Sequence, residues 1–534
     1  MKKLITICIA AALLLGGCYK DDIKSLKRDR DKQAAAIEAL EALNKALENR
    51  QTNSETDITN LRTLIAALEG RDFVTSVTDL PNGAGSKITF NSGSVINVYN
   101  GATGATGPAG QTGATGATGA QGPQGIPGAD GAPGADGADG VGKITGVVIN
   151  PDGTVTFTLD DDTEITIRNM GAGTEANPRM IFTDDDLDAV RNDLTLHYKL
   201  MNDITVTDWL PIGDGSGSTG NNDNTDRFTG SFDGDGHTVT INGFATTIPM
   251  GPYSTEYTGL FGSLGSGGVI ENLTVGGTLS HSTGNRLEIG GVLGGNYGGT
   301  VRGCIVSAGI DASTDNTGGL RAGAIVGNNQ SGTIENCYST GSVSADLNAS
   351  NECMAGGIAG NNSSSGTIRN CYSTGAVEAS SQSTAYAGGI AGVNDGTVSF
   401  CYATGEVEAS ADGTSNAYTG GIAGFNAPAG SIENCVALNS GITCTGGSTY
   451  IGRVVGDNLS GMGATLAGNY GNEDMQRNGS STTWSYNTTG DRDGANVTTT
   501  EANTTTWWTT TAMSSWDWLG TWAWDSANSR PVLR

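Results

Sequence analysis

Residues 356–377 read GGIAGNNSSSGTIRNCYSTGAV, and this stretch decides the fold. Its opening pentad, Gly356-Gly-Ile-Ala-Gly360, recurs as Thr258-Gly-Leu-Phe-Gly262, Gly290-Gly-Val-Leu-Gly294, Gly323-Ala-Ile-Val-Gly327, Gly388-Gly-Ile-Ala-Gly392, Gly420-Gly-Ile-Ala-Gly424 and Gly452-Arg-Val-Val-Gly456. Start-to-start spacings are 32, 33, 33, 32, 32 and 32 residues. The second half recurs as GTIENCYSTGSV, GTVSFCYATGEV and SIENCVAL. A fixed period of this size marks stacked units that contact only their neighbours. The runs are short and β-branched and carry no helical period, so the prediction is a parallel β-solenoid. Each unit is one coil of about three short strands, and seven coils would rise roughly 34 Å.

Over residues 258–456 the motif and its spacing resemble the GLUG repeats of bacterial adhesins and proteases. The lead-in, TLHYKLMNDITV, WLPIG and FTGSFDGDGHTVTINGF, is similar to that family as well. The resemblance implies a β-helix from 258 to 470 with lead-in and N-terminal cap from 171 to 257; residues 471–534 are expected to form a Trp-rich C-terminal cap, because the last coil of a solenoid exposes an apolar face.

Upstream the chain is fibrous. Glycine holds every third position from Gly101 to Gly140, 14 in register. Only glycine fits the crowded axis of a collagen-like triple helix, so residues 101–142 predict a homotrimer. Before it, Ile23, Ile37, Ile58 and Ile65 at heptad a positions and Leu26, Leu40, Leu47, Leu61 and Leu68 at d positions predict a coiled coil over 23–70. Ile at a with Leu at d leans to a dimer. The steric rule of collagen is stricter, so three strands are expected. Two small β modules, 71–100 and 143–170, flank the run. Each shows alternating apolar residues around a Pro-x-Gly turn, Pro81-Asn-Gly83 and Pro151-Asp-Gly153.

Met1-Lys-Lys3 and the apolar stretch Leu4 to Leu15 form a signal peptide, residues 1–17, too short to be kept as a span. Leu15-Gly-Gly-Cys18 resembles the lipobox of bacterial lipoproteins, which implies acylation of Cys18. Lys20, Asp21 and Asp22 follow it within the anchor segment 18–22 and are similar to the surface-export signal of Bacteroidota lipoproteins. The segment from the coiled coil to DFVTSVTD and KITFNSGSVINVYNG resembles an N-terminal domain of unknown function in those lipoproteins. The implied location is the outer membrane, held by the N-terminal lipid and facing outward.

The chain has 534 residues, 84 Gly, 16% charged residues and a net charge of -27, which argues against nucleic acid as partner. With three His, no HExxH and no His pair at ligand spacing, neither a metal nor a cofactor is expected. Cys304, Cys337, Cys371, Cys401 and Cys435 fall at one position in successive units and predict a buried column of free thiols. Cys353 and Cys444 lie off it, as exposed or unforeseen paired groups. Asp233-Gly-Asp235-Gly-His237 lacks EF-hand spacing, and the GLUG resemblance implies that it is a turn between capping strand and first coil. Asp160 to Asp162 reads as a solvated turn.

Seven of eight tryptophans lie in the last 51 residues. They predict an end cap, with Trp507, Trp508, Trp516 and Trp518 as an alternative sugar-stacking surface. No catalytic residues emerge. The functional expectation is an adhesin-like lipoprotein with a trimeric stalk, binding host, matrix or glycan ligands. The alternatives are a polysaccharide-degrading β-helix enzyme and a passive surface spacer.

Overall fold

The computed structural model describes residues 173–213, 226–245 and 255–534, except 364 and 482, and six short strands between 74 and 168. The signal, anchor, coiled coil, collagen-like run and the Asp160–Asp162 turn lie outside the described residues. The chain divides into two compact units, Met1–Asn169 and Met170–Arg534.

In the first unit, Val74–Asp79, Gly85–Phe90 and Val95–Tyr99 form one antiparallel meander, and Ile144–Ile149, Thr154–Leu159 and Glu164–Arg168 form another. Both break register at the same place, between Val74 and Ser76 and between Ile144 and Gly146. The shared irregularity marks them as two copies of one device.

The second unit is a β-solenoid of parallel strands. One coil contains Glu352–Gly356, Ala359–Asn362, Thr367–Arg369, Tyr372–Ser373 and Val377–Ser381. Five strands per coil replace the expected three, because the glycine pentad and the Thr-Gly step after Ser373 each bend the chain and divide a run. We number the resulting sheets I to V in that order. Sheets I and II have seven strands each, and sheet III has ten. Sheets IV and V share the long strand Thr274–Thr283. The lead-in belongs to the same stack: His197–Leu200 and Ser231–Asp233 join sheet III, and Ile204–Trp209 and Thr238–Phe244 join sheet IV.

In-register stacking places like on like. Sheet III buries the column Val301, Ile334, Ile368, Val398 and Ile432, and sheet V buries Ala312, Ala345, Ala379 and Ala409. The coils approach closely, so six of the seven pentads open on glycine: a Cβ on Gly388 would stand 1.9 Å from the carbonyl oxygen of Ala391. At the second pentad position, a Cβ on Gly421 would stand 2.3 Å from the Arg453 carbonyl oxygen in the next coil. Arg453 itself occupies that position in the last pentad, where no further pentad stacks against it.

Two ladders hold the turns. Asn296, Asn329, Asn362, Asn394, Asn426 and Asn458 each pass an amide hydrogen bond to the next, over 2.7–3.0 Å. Between sheets III and IV the chain turns through the left-handed region at Asn272, Asn336, Asn370, Phe400 and Asn434, with φ of 52–56°. Asparagine tolerates this conformation; phenylalanine does so at a cost.

Candidate functional site

In-register tyrosines stack as parallel plates. On sheet IV, the rings of Tyr338, Tyr372 and Tyr402 stand 4.7 and 4.9 Å apart. The C-terminal segment folds over them. Thr498 caps a short helix, Thr499–Ala502, through a capping box with Glu501, and Trp522–Asp525 pairs with Arg530–Leu533 as a hairpin. Trp507, Trp508, Trp516 and Trp522 are buried with Tyr372, Tyr402, Val436 and Leu438 in a second hydrophobic cluster, separate from the solenoid core. The Tyr402 hydroxyl donates to the Pro531 carbonyl at 2.7 Å, and Trp516 Nε1 donates to the Asn434 carbonyl at 3.1 Å.

This corrects two expectations. The tryptophans from 507 onward buttress a side wall of the coils and do not close the end of the stack. Trp507, Trp508 and Trp516 also offer no open indole face for a sugar, because they are buried, and Trp518 is half-buried. Irregular Trp spacing in the sequence could not distinguish an end from a flank, whereas the regular tyrosine column is the signal that receives the segment. The end is covered instead by Met475 and Trp484, with Arg453 Nη1 and Nη2 donating to the carbonyls of Gly471 and Gly494.

Cys304, Cys337, Cys371, Cys401 and Cys435 are all buried and free. Each thiol donates to the carbonyl two residues before it, over 3.1–3.4 Å. Burial pushes the thiols of Cys304, Cys337 and Cys401 well above the ordinary cysteine value. At Cys371 burial acts in the same sense, opposed by hydrogen bonds with the thiols of Cys337 and Cys401. Cys353 and Cys444 are also buried and free, contrary to the expectation of exposure or pairing. Cys353 takes the place of a core aliphatic beside Leu320 and Ala385 in sheet I, and burial raises it to about 12.

The Asp233–His237 stretch is the sheet III to sheet IV turn of a lead-in coil. Asp233 Oδ1 accepts from the Asp235 amide and from Asn272 Nδ2, Lys199 pairs with Asp235, and His237 reaches Asp203. Its groups are consumed by these contacts, and no cluster of metal-ligating side chains occurs among the described residues. Beside sheet V a groove of about 370 Å³ is lined by Glu378, Glu406, Glu408 and Thr443.

A different surface lies at the seam where sheets I and II fold against each other. From sheet I come Tyr257, Glu288, Arg321, Met354, Tyr386, Tyr418 and Tyr450, one per coil. From sheet II come Ser263, Gly295, Asn328, Asn361, Val393, Phe425 and Asp457. At the C-terminal end Tyr386, Tyr418 and Tyr450 stack at 4.8 and 4.4 Å, with Phe425 against the first two at 5.7 and 5.4 Å. These four rings are half-exposed. At the N-terminal end the Tyr257 and Tyr297 hydroxyls meet at 2.6 Å, and Arg227 lies over the Tyr297 ring at 3.8 Å. Glu288 sits between the two ends, buried. Its Oε1 accepts from Arg286 at 2.9 Å and from Arg321 at 2.7 Å, and its Oε2 accepts from Asn328 at 3.1 Å. Burial raises its carboxyl; Arg286 and Asn328 oppose the shift. The sequence shows this seam only as a Tyr at one repeat position, in QSTAYAGG, TSNAYTGG and GSTYIGR.

The family model of the GLUG motif matches residues 318–344 and 351–378. A protein of Evansella cellulosilytica, named as a Gly-rich membrane protein, is 38% identical over 130 residues, which is 24% of this chain and 14% of that protein. Halomucin of Haloquadratum walsbyi is 32% identical over 173 residues, 31% of this chain and 2% of that protein. The chain thus spans a small fraction of the length of both relatives. No solved structure matches it.

Proposed function

We propose that this is a surface lipoprotein whose solenoid acts as an adhesin-like binder, with the sheet I–sheet II seam as its ligand face. One observation carries the reading. The chain builds two tyrosine columns and covers one with its own aromatic segment, while Tyr386, Tyr418 and Tyr450 stay half-exposed. Stacked rings present edges and hydroxyls in a line, with the Glu352 carboxylate 3.5 Å from the Tyr386 hydroxyl. Such a line suits a polar polymer such as a glycan. The names of the two relatives, Gly-rich membrane protein and halomucin, support a place at the cell surface.

Binding rather than catalysis is supported by the groove beside sheet V. Glu378 and Glu408 are stacked neighbours on adjacent parallel strands of sheet V, placed side by side by the repeat, whereas glycoside hydrolysis needs two carboxylates across one bond. In this reading Cys18 carries the lipid, Lys20, Asp21 and Asp22 send the chain outward, and residues 101–142 hold three copies together.

The test is a glycan and matrix-protein array probed with the mature chain from Cys18. Binding that falls at least tenfold with Tyr418→Ala supports the reading. Array hits indifferent to Tyr418 would move the site elsewhere, and no hits at all would leave a passive spacer. Gly119→Val should lower or abolish the collagen-like melt in circular dichroism, because no axial space exists for the side chain.

A further inference from the structure

Residues 258–470 contain no lysine and five arginines. Four of the five bear on a choice between structure and binding. Arg302 pairs with Glu271, and Arg369 with Glu335, each on its own carboxylate along sheet III. Arg286 and Arg321 instead converge on the same oxygen of one carboxylate, Glu288 Oε1. Two positive charges therefore meet one negative charge. The Nε atoms of both arginines are buried with no hydrogen-bond partner, while their side chains remain 32% and 20% exposed. A guanidinium has five N–H donors in a planar fork suited to carboxylate and sulfate. A purely structural pair would be balanced, as at Glu271 and Glu335. Here the excess charge sits in the same sheet I column as the stacked tyrosines, with Met354 between Arg321 and Tyr386.

We propose that Arg286 and Arg321 bind an oxyanion, carboxylate or sulfate, carried on a polysaccharide that continues along the tyrosine column. This deepens the reading of the seam as the ligand face and rests on it. The oxyanion would take the outer Nη donors that Glu288 leaves unused on the partly exposed guanidinium groups. Glu288 would hold the two forks at a fixed separation and limit how much negative charge the site accepts.

The test uses the mature chain and three immobilised probes: polygalacturonate, dextran sulfate and neutral dextran. Wild type should bind at least one charged probe and not dextran, and the preferred one identifies the anion. The double variant Arg286→Gln, Arg321→Gln should lose at least tenfold. Glu288→Gln keeps the shape and removes the competing charge, so it should bind several-fold tighter, which folding damage would not produce. Arg302→Gln, on the far sheet, should leave binding unchanged. Wild type that ignores both charged probes overturns the inference, as does a double variant that binds normally or a Glu288→Gln chain that folds and binds more weakly. If such a result comes with a Tyr418-dependent array hit, the seam reading survives alone. Arginine-dependent binding indifferent to Tyr418→Ala would keep the anion site and remove the aromatic half of the ligand face.

Discussion

Replacing Asn394 by Ala tests whether the asparagine ladder holds the coils together. Asn394 is fully buried. Its Nδ2 donates to Asn426 Oδ1 at 2.8 Å and to the carbonyls of Gly396 and Ser431 at 3.1 and 3.2 Å. Its Oδ1 accepts from Asn362 Nδ2 at 2.8 Å and from the Gly396 amide at 3.3 Å. Asn362 keeps bonds to the carbonyls of Gly366 and Thr397. The groups left worst placed are Asn426 Oδ1 and the Gly396 amide. At about 1–3 kcal/mol for each orphaned buried group, plus a small cavity, the loss should be about 3–5 kcal/mol. Asn458, at the end of the ladder, is half-exposed and receives one bond from Asn426. Water can replace that bond, so Asn458→Ala should cost about 1 kcal/mol. Urea denaturation of the two variants, followed by far-ultraviolet dichroism, gives the comparison. Asn394→Asp separates bonding from volume: it fills the space, but cannot donate to Asn426 and adds a charge, so it should be worse than Ala. Equal costs at 394 and 458, or an Asp variant as stable as wild type, would refute the ladder as a source of stability.

Thiol reagents should leave the seven described cysteines unmodified in the native protein and label all of them after denaturation. Cys371→Asp should cost at least about 3 kcal/mol by burying an unpaired charge, read from the urea midpoint. At Asn370, with φ of 52°, Gly should change stability by a few tenths of a kcal/mol and Val should cost about 1–2 kcal/mol in thermal melts. Equal melts for the two would remove the backbone argument. Burial raises the carboxyl of Glu288 above its usual 4.5, so the folded state holds that proton more readily than the unfolded chain. Its contribution should make the protein less stable as pH rises from about 4.5 through the raised value, and Glu288→Gln should flatten that part of the stability–pH curve.

The period, the parallel stacking and the buried thiol column follow from the sequence alone. An exact repeat forces each residue to meet its own counterpart one coil away, so composition at a position predicts its column. Val301, Ile334 and Ile368 must be core for that reason, and five cysteines at one position must stack. Division into five strands was not legible, because the bends at Gly356 and after Ser373 depend on how closely two sheets approach. The left-handed turns were written as Asn before Cys, but only the backbone shows why Asn stands there. Phe400 occupies the same turn and packs against the C-terminal aromatic segment. The fate of the tryptophans was a question of which surface they would meet, and irregular spacing holds no answer to it. The seam was hidden for a similar reason. Tyr386 and Phe425 are 39 positions apart in the sequence, on different sheets and adjoining coils. Repetition along the chain fixes what stacks above and below each residue, whereas the fold of one sheet against the next decides what lies beside it.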